Sequence, residues 1–93
     1  MNRLETLAPE LVPFWDELSP QVRDETPPMA LEAMCSQART MREAADRVRQ
    51  EGAVVIDGKG NATEHPALRI EREAAKQLRD WLTAYARRTG DRR

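Results

Sequence analysis

The stretch PMALEAMCSQARTMREAADRVRQEG, residues 28–52, decides the fold. Within it Leu31, Met34, Ala38, Met41, Ala45 and Val48 recur at spacings of 3, 4, 3, 4 and 3. Six positions on such a seam describe a helix that packs along another helix. Pro28 suits the first helical turn, where a missing N–H costs nothing, and Gly52 supplies the stop. Thr26, just before Pro27-Pro28, is the expected place for this helix to open. The small Ala38 and Ala45 permit close approach of a partner helix. Cys35 falls on the edge of the apolar face, where a small core residue is expected rather than a nucleophile.

On the C-terminal side the character changes. Ala53-Val54-Val55-Ile56 is short and β-branched, Asp57-Gly58-Lys59-Gly60-Asn61 is a turn cluster, and Ala62-Thr63-Glu64-His65 reads as a return strand. This is a β-hairpin with a five-residue loop, too small to stand alone in water. It must pack on the helices or on a neighbouring subunit. Pro66 then opens a helix expected to run to about Arg88. Its apolar face carries Ala67, Ile70, Ala74, Leu78, Trp81, Leu82 and Tyr85. Arg69, Arg72, Lys76 and Arg79 form a narrow basic stripe opposite, which Arg87 extends.

On the N-terminal side Leu4, Leu7, Leu11, Phe14 and Leu18 share one helical face. Pro9 and Pro13 place the regular helix from near Pro9, with Leu4–Ala8 as a lead-in. Ser19-Pro20 should end it, because a residue before proline avoids the helical region. The expected architecture is mainly α: a short N-terminal helix and two long antiparallel helices joined by a small β-hairpin. The long helices should pair through Leu31, Met34, Met41 and Val48 against Ile70, Leu78, Trp81 and Tyr85. Trp15, Val54 and Ile56 complete the residues expected to pack in the core or between subunits. One domain spans residues 1–93, with about 8–88 as ordered core and 89–93 as a basic tail.

Composition narrows the function classes. Of 93 residues, 16 are Leu, Ile, Val or Phe, and 13 are alanine. So thin a core calls for support from a metal, disulfides or oligomerisation. One Cys and one His give neither a ligand set nor a disulfide framework, so oligomerisation remains and no metal or cofactor is expected. The longest apolar run is far too short for a bilayer. The N-terminus has no basic stretch followed by an apolar one, so an intracellular, reducing setting is expected. The net charge of −1 hides a gradient: residues 1–30 carry −4 and residues 66–93 carry +4. An acidic head and a basic tail imply two different partners or head-to-tail contact between copies.

Catalytic groups are few. The usual triads need His65 as base, yet its place before Pro66 favours capping the last helix or packing against a neighbour. Gly58-Lys59-Gly60 lacks the wider glycine spacing and Lys-Ser/Thr pair of a phosphate loop and reads as a turn, leaving Lys59 free to touch a nucleic-acid backbone. The basic stripe and the tail Arg87, Arg88, Arg92 and Arg93 fit phosphates without sequence readout, although Glu73 and Asp80 lie beside the stripe. Trp15 and Trp81 stand among apolar residues at helical spacing, as packing anchors do.

In its order of elements the chain resembles a phage terminase small subunit of the short kind. Four stretches carry the resemblance: Leu11-Val12-Pro13-Phe14-Trp15-Asp16-Glu17-Leu18, with the Trp-x-x-Leu segment; Val48-Arg49-Gln50-Glu51-Gly52; the hairpin opening Gly52-Ala53-Val54-Val55; and His65-Pro66-Ala67-Leu68, where the family has Asn-Pro or His-Pro. They span about residues 8–85. Two departures stand out: no basic N-terminal extension precedes the first helix, and Arg87-Arg88-Thr89-Gly90-Asp91-Arg92-Arg93 replaces the frequent Leu-Gly-Leu-Thr-Pro-x-x-Arg segment. The resemblance implies a non-enzymatic, ring-forming packaging factor in the cytoplasm of the bacterial host. Such a factor binds double-stranded phage DNA near the packaging start and recruits or regulates the large subunit, which holds the ATPase and nuclease. The basic residues themselves, Arg69, Arg72, Lys76, Arg79, Arg87, Arg88, Arg92, Arg93 and Lys59, are the expected DNA contacts, by electrostatics with the backbone. The alternative is a small dimeric DNA-binding regulator or antitoxin-like protein, although no helix-turn-helix is evident.

Overall fold

The computed structural model describes residues 7–87. A 3-10 turn, Pro9–Leu11, leads into helix α1, Val12–Leu18. Both prolines sit where a helix has no use for their missing N–H: Pro9 opens the turn and Pro13 stands second in α1. Leu4 lies outside the described residues. The chain does not break at Ser19, as the following proline suggested. Ser19 is helical (φ −56°, ψ −36°) and opens a second 3-10 turn, Ser19–Gln21. The bias of a pre-proline residue is a preference, and Pro20 loses nothing at the start of a tight turn whose first N–H groups are unused.

Helix α2 spans Pro28–Glu51. Thr26 is not its cap. The Thr26 hydroxyl donates to the Arg23 carbonyl at 2.7 Å and closes the preceding turn, while extended Pro27 stands at the cap position. Gly52 ends α2 with φ 89°, a value that favours glycine, and its N–H reaches the Val48 carbonyl at 2.7 Å. Strands β1, Val54–Ile56, and β2, Ala62–Glu64, pair antiparallel with Val54 opposite Glu64 and Ile56 opposite Ala62. The five-residue loop is built on Asp57. Its carboxylate accepts the N–H of Lys59 at 2.8 Å and of Asn61 at 2.9 Å.

Helix α3 spans Pro66–Ala84, four residues shorter than its expected end at Arg88. Tyr85 leaves helical space (φ −119°, ψ 22°), and Ala86 pairs with Val22 in an antiparallel bridge. The Arg23 N–H donates to the Tyr85 carbonyl at 3.0 Å, and the Arg87 N–H to the Gln21 carbonyl at 2.9 Å. The α1–α2 connection thus takes the backbone bonds that another turn of α3 would have used.

The result is a rod of 58 × 29 × 18 Å. Helices α2 and α3 lie against each other, with α1 at one end, the head, and the β-hairpin at the other, the tip. Their packing is uneven along the rod. At the head, Leu7, Leu11, Leu18, Val22, Ala30, Leu31, Met34, Cys35, Ala38 and Leu78 form one buried cluster. Trp15, Met41, Trp81 and Tyr85 are half-buried against it, and the Trp81 and Tyr85 rings stack at 5.9 Å. Toward the tip the buried apolar residues are all alanines: Ala44, Ala67 and Ala74.

The expected helix pairing therefore holds at the head and changes at the tip. Val48 is half-buried, and Ile70, placed in the interface from sequence, is 43% exposed. Ala67 and Ala74, one heptad apart, set the contact line, and Ile70 lies roughly 60° around the helix from Ala67. Two helices brought close by alanines leave no room for it between them. Val54 and Ile56 are 63% and 68% exposed, so they add nothing to the core of their own chain.

Candidate functional site

His65 joins the hairpin to the rod. It is 2% exposed and stands at the cap position of α3. Its Nδ1 accepts the Ala67 N–H at 2.9 Å. A ring whose Nδ1 accepts carries its proton on Nε2, and Nε2 donates to Glu51 Oε1 at 2.6 Å. Arg47, one turn back on α2, holds the same carboxylate at 3.6 Å. The His65 bond, with Arg47 adding to it, holds the Glu51 carboxyl below its ordinary pKa. One imidazole thus ties the last residue of α2 to the first turn of α3. The expected helix cap is present, and His65 faces no cleft.

Cys35 is fully buried, and desolvation pushes its thiol up to about 11. A buried, protonated thiol packs and does not attack.

The basic stripe of α3 is exposed but partly committed. Arg72 donates from both terminal nitrogens to Glu64 on β2, at 2.8 and 3.2 Å. That bond lowers the Glu64 carboxyl and raises the Arg72 guanidinium. Lys76 pairs with Asp80 at 3.2 Å. Arg87 is held at the head: its side chain donates to the Pro20 carbonyl at 3.3 Å and to Asp24 at 3.2 Å. Lys59, Arg69 and Arg79 form no ion pair with any described residue, although Arg69 adds to the field that lowers Glu64. Arg88, Arg92 and Arg93 lie outside the described residues.

Other groups came without a signal in the sequence. The Arg23 guanidinium donates to the Ala84 carbonyl and lies 5.8 Å over the Tyr85 ring, clasping the end of α3 to the α1–α2 connection. Arg42 takes both carboxylate oxygens of Glu17 at 3.0 Å and stacks 5.2 Å over Phe14, locking α1 onto α2. The partners in each clasp are 25 or more residues apart, so neither spacing nor periodicity reveals them. Glu51 and His65 had a weak signal, an acid at a helix end and an imidazole before a helix-opening proline.

Chemistry in the described residues is thus spread over an outer surface as ion pairs and exposed apolar side chains. Among them no three His, Cys, Asp or Glu side chains are placed to hold a metal, and no helix is long and apolar enough to cross a membrane. These features define a class: a small helical rod with a β-hairpin at one end and an exposed, charged face on its last helix. A family model described as phage terminase, small subunit, matches residues 14–86. The chain belongs to that family, which supports a role in phage DNA packaging. Comparison with curated proteins and with solved structures finds no match.

Proposed function

We propose that this protein is the DNA-recognition adaptor of a phage packaging motor, without catalytic activity of its own. It binds double-stranded phage DNA near the packaging start, assembles as a ring and recruits or regulates the large ATPase and nuclease subunit in the host cytoplasm. The observation that carries this reading is the family match, which covers α1 from Phe14 onward, both long helices and the hairpin. It favours packaging over a free-standing regulator.

Phosphate contact falls to the exposed face of α3. Arg79 has no ion-pair partner among the described residues, while Arg72 and Lys76 exchange surface carboxylates for phosphates. Such exchange is cheap, because exposed ion pairs are worth about 1 kcal/mol or less. The C-terminal arginines extend the same charge. Filter binding of duplex DNA across a salt series tests this reading, together with capture of the cognate large subunit. Charge reversal at Arg72 and Arg79 should reduce retention and lower the salt slope by about one per lost phosphate contact. Unchanged retention at low salt, with no capture of the large subunit, refutes it.

A further inference from the structure

The outer face of α3 carries four cations, Arg69, Arg72, Lys76 and Arg79, and four carboxylates stand near them: Glu71, Glu73 and Asp80 on the same helix and Glu64 on β2. Net charge therefore does not favour a phosphate there. Which carboxylates compete, and which can leave, decides. At about 100° per residue the four cations fall within a strip about 80° wide. Glu71 and Glu73 stand about 100° to either side of Arg72, and neither pairs with a described residue. They act on Arg72 through their fields, behind the direct bonds of Glu64. Asp80 holds Lys76 at 3.2 Å, one turn along the same helix.

Glu64 differs from the other three. It enters the strip from another element and takes both terminal nitrogens of Arg72, at 2.8 and 3.2 Å. That is the fork a phosphate would use with two of its oxygens. The Lys76–Asp80 pair moves with one helix whatever its state, whereas the Glu64 pair ties β2 to α3. Among the described residues it is the one side-chain hydrogen bond or ion pair between the hairpin strands and that helix. Little packing backs it. An open groove of about 390 Å³ lies between hairpin and helix, lined by Val54, Ala62, Glu64 and Leu68 among others. Val54 and Ile56 are exposed, and Val55 is only half-buried.

We propose that Glu64 is an internal competitor for phosphate at Arg72, and that DNA bound on α3 frees the hairpin from the helix. The proposal rests on the reading of α3 as the DNA face. A phosphate that takes the Arg72 fork leaves Glu64 beside a second anion, so repulsion adds to the lost bonds. The coupling is reciprocal: DNA weakens the pair by the factor by which loss of the pair tightens DNA. For an exposed ion pair that factor is about three to five.

Filter binding of duplex DNA at low salt compares wild type, Glu64→Gln, Glu73→Gln, Arg72→Gln and Arg72→Gln/Glu64→Gln, with far-UV circular dichroism to verify helix content. Glu64→Gln should bind about three- to fivefold tighter. Glu73→Gln removes the same charge from the same neighbourhood with no pair to break, and should gain less than about twofold. In the Arg72→Gln background the Glu64→Gln gain should vanish, because the competitor has nothing left to occupy. Amide exchange at one fixed protein concentration reads the hairpin. Saturating DNA should speed exchange of the β1 and β2 amides in wild type; in Glu64→Gln exchange should already be faster, and DNA should add nothing. Equal gains from Glu64→Gln and Glu73→Gln overturn the proposal. So does a gain that survives without Arg72, or a wild-type hairpin whose exchange DNA leaves unchanged or slows. Those results leave the DNA reading standing. Failure of both wild type and Glu64→Gln to retain duplex DNA refutes that reading and this proposal with it.

Discussion

Replacing His65 separates the capping of α3 from the filling of space around it. In His65→Ala the Ala67 N–H, on a residue 1% exposed, loses its acceptor at 2.9 Å. Water has little access there, so the group stays unsatisfied. Losing a cap costs about 1 kcal/mol, and stranding a buried donor raises that toward 2 kcal/mol. The vacated imidazole volume adds a packing loss of about 1 kcal/mol, since the site is hemmed in by the ends of two helices. The total, about 3 kcal/mol, is a large share of the stability of a domain this size. His65→Asn behaves differently. Asparagine is among the best cap residues, so it keeps the Ala67 bond and loses only packing and the reach to Glu51, about 1 kcal/mol.

Urea denaturation followed at 222 nm, at one fixed protein concentration, measures both variants. At about 4–8 °C per kcal/mol, the thermal midpoint should fall by about 12–24 °C for alanine and by a third of that for asparagine. Equal losses for the two substitutions would falsify the cap argument, because volume alone would then carry the effect. A loss under about 0.5 kcal/mol in His65→Ala would place His65 among ordinary surface positions despite its burial.

Further outcomes follow from the same structure. Glu51 and Glu64 both have lowered carboxyl pKa values, so the folded state binds fewer protons than the unfolded chain below the ordinary value of about 4.3. Their contribution is complete above that value and is lost as pH falls through the lower folded values; Glu51→Gln/Glu64→Gln should flatten the acid limb of a urea-midpoint profile. Cys35, fully buried with its thiol near 11, should resist alkylation at pH 8 until the chain opens, so labelling should track global unfolding as urea is added. Arg23→Ala removes the bond to the Ala84 carbonyl and the contact over Tyr85, and should cost about 1–2 kcal/mol in the same denaturation assay. Gly52→Ala forces a side chain into φ 89° and should lower stability by about 1 kcal/mol.

What the sequence made legible depended on how local each determinant was. The limits of α2 at Pro28 and Gly52, both strands and their five-residue loop, and the capping role of His65 follow from residues adjacent in the chain, where proline, glycine and β-branched side chains act directly. Ile70 and the end of α3 depend on distant partners: Ile70 is displaced where alanines bring two helices close, and α3 stops where Val22 takes its backbone. Ser19 is a local exception, where the pre-proline preference yields to a 3-10 turn that Ser19 itself opens. The basic stripe shows the same limit. Its positions were plain from the helical period, but Glu64, which occupies Arg72, comes from a strand whose pairing only the fold reveals.

Uneven packing along the rod ties these observations to function. The head buries Leu, Met and Val side chains from three helices and a β-bridge, whereas the tip joins two helices through alanines, one imidazole and a three-residue strand pair. Local opening free energy tracks buried apolar contact, so the hairpin and the first turns of α3 should exchange amide hydrogens well before the head does. Val54, Ile56 and Ile70 leave part of their burial unrealised, on the order of 1 kcal/mol each at 63%, 68% and 43% exposure. Those residues make sense if the folded chain is one part of a larger unit, with the head stable alone and the tip completed by contact. On that view assembly and tip order are one equilibrium. Protection of the β1 and β2 amides should rise with protein concentration while that of Leu31 and Met34 stays fixed, and protection that is independent of concentration at both ends would separate the hairpin from assembly.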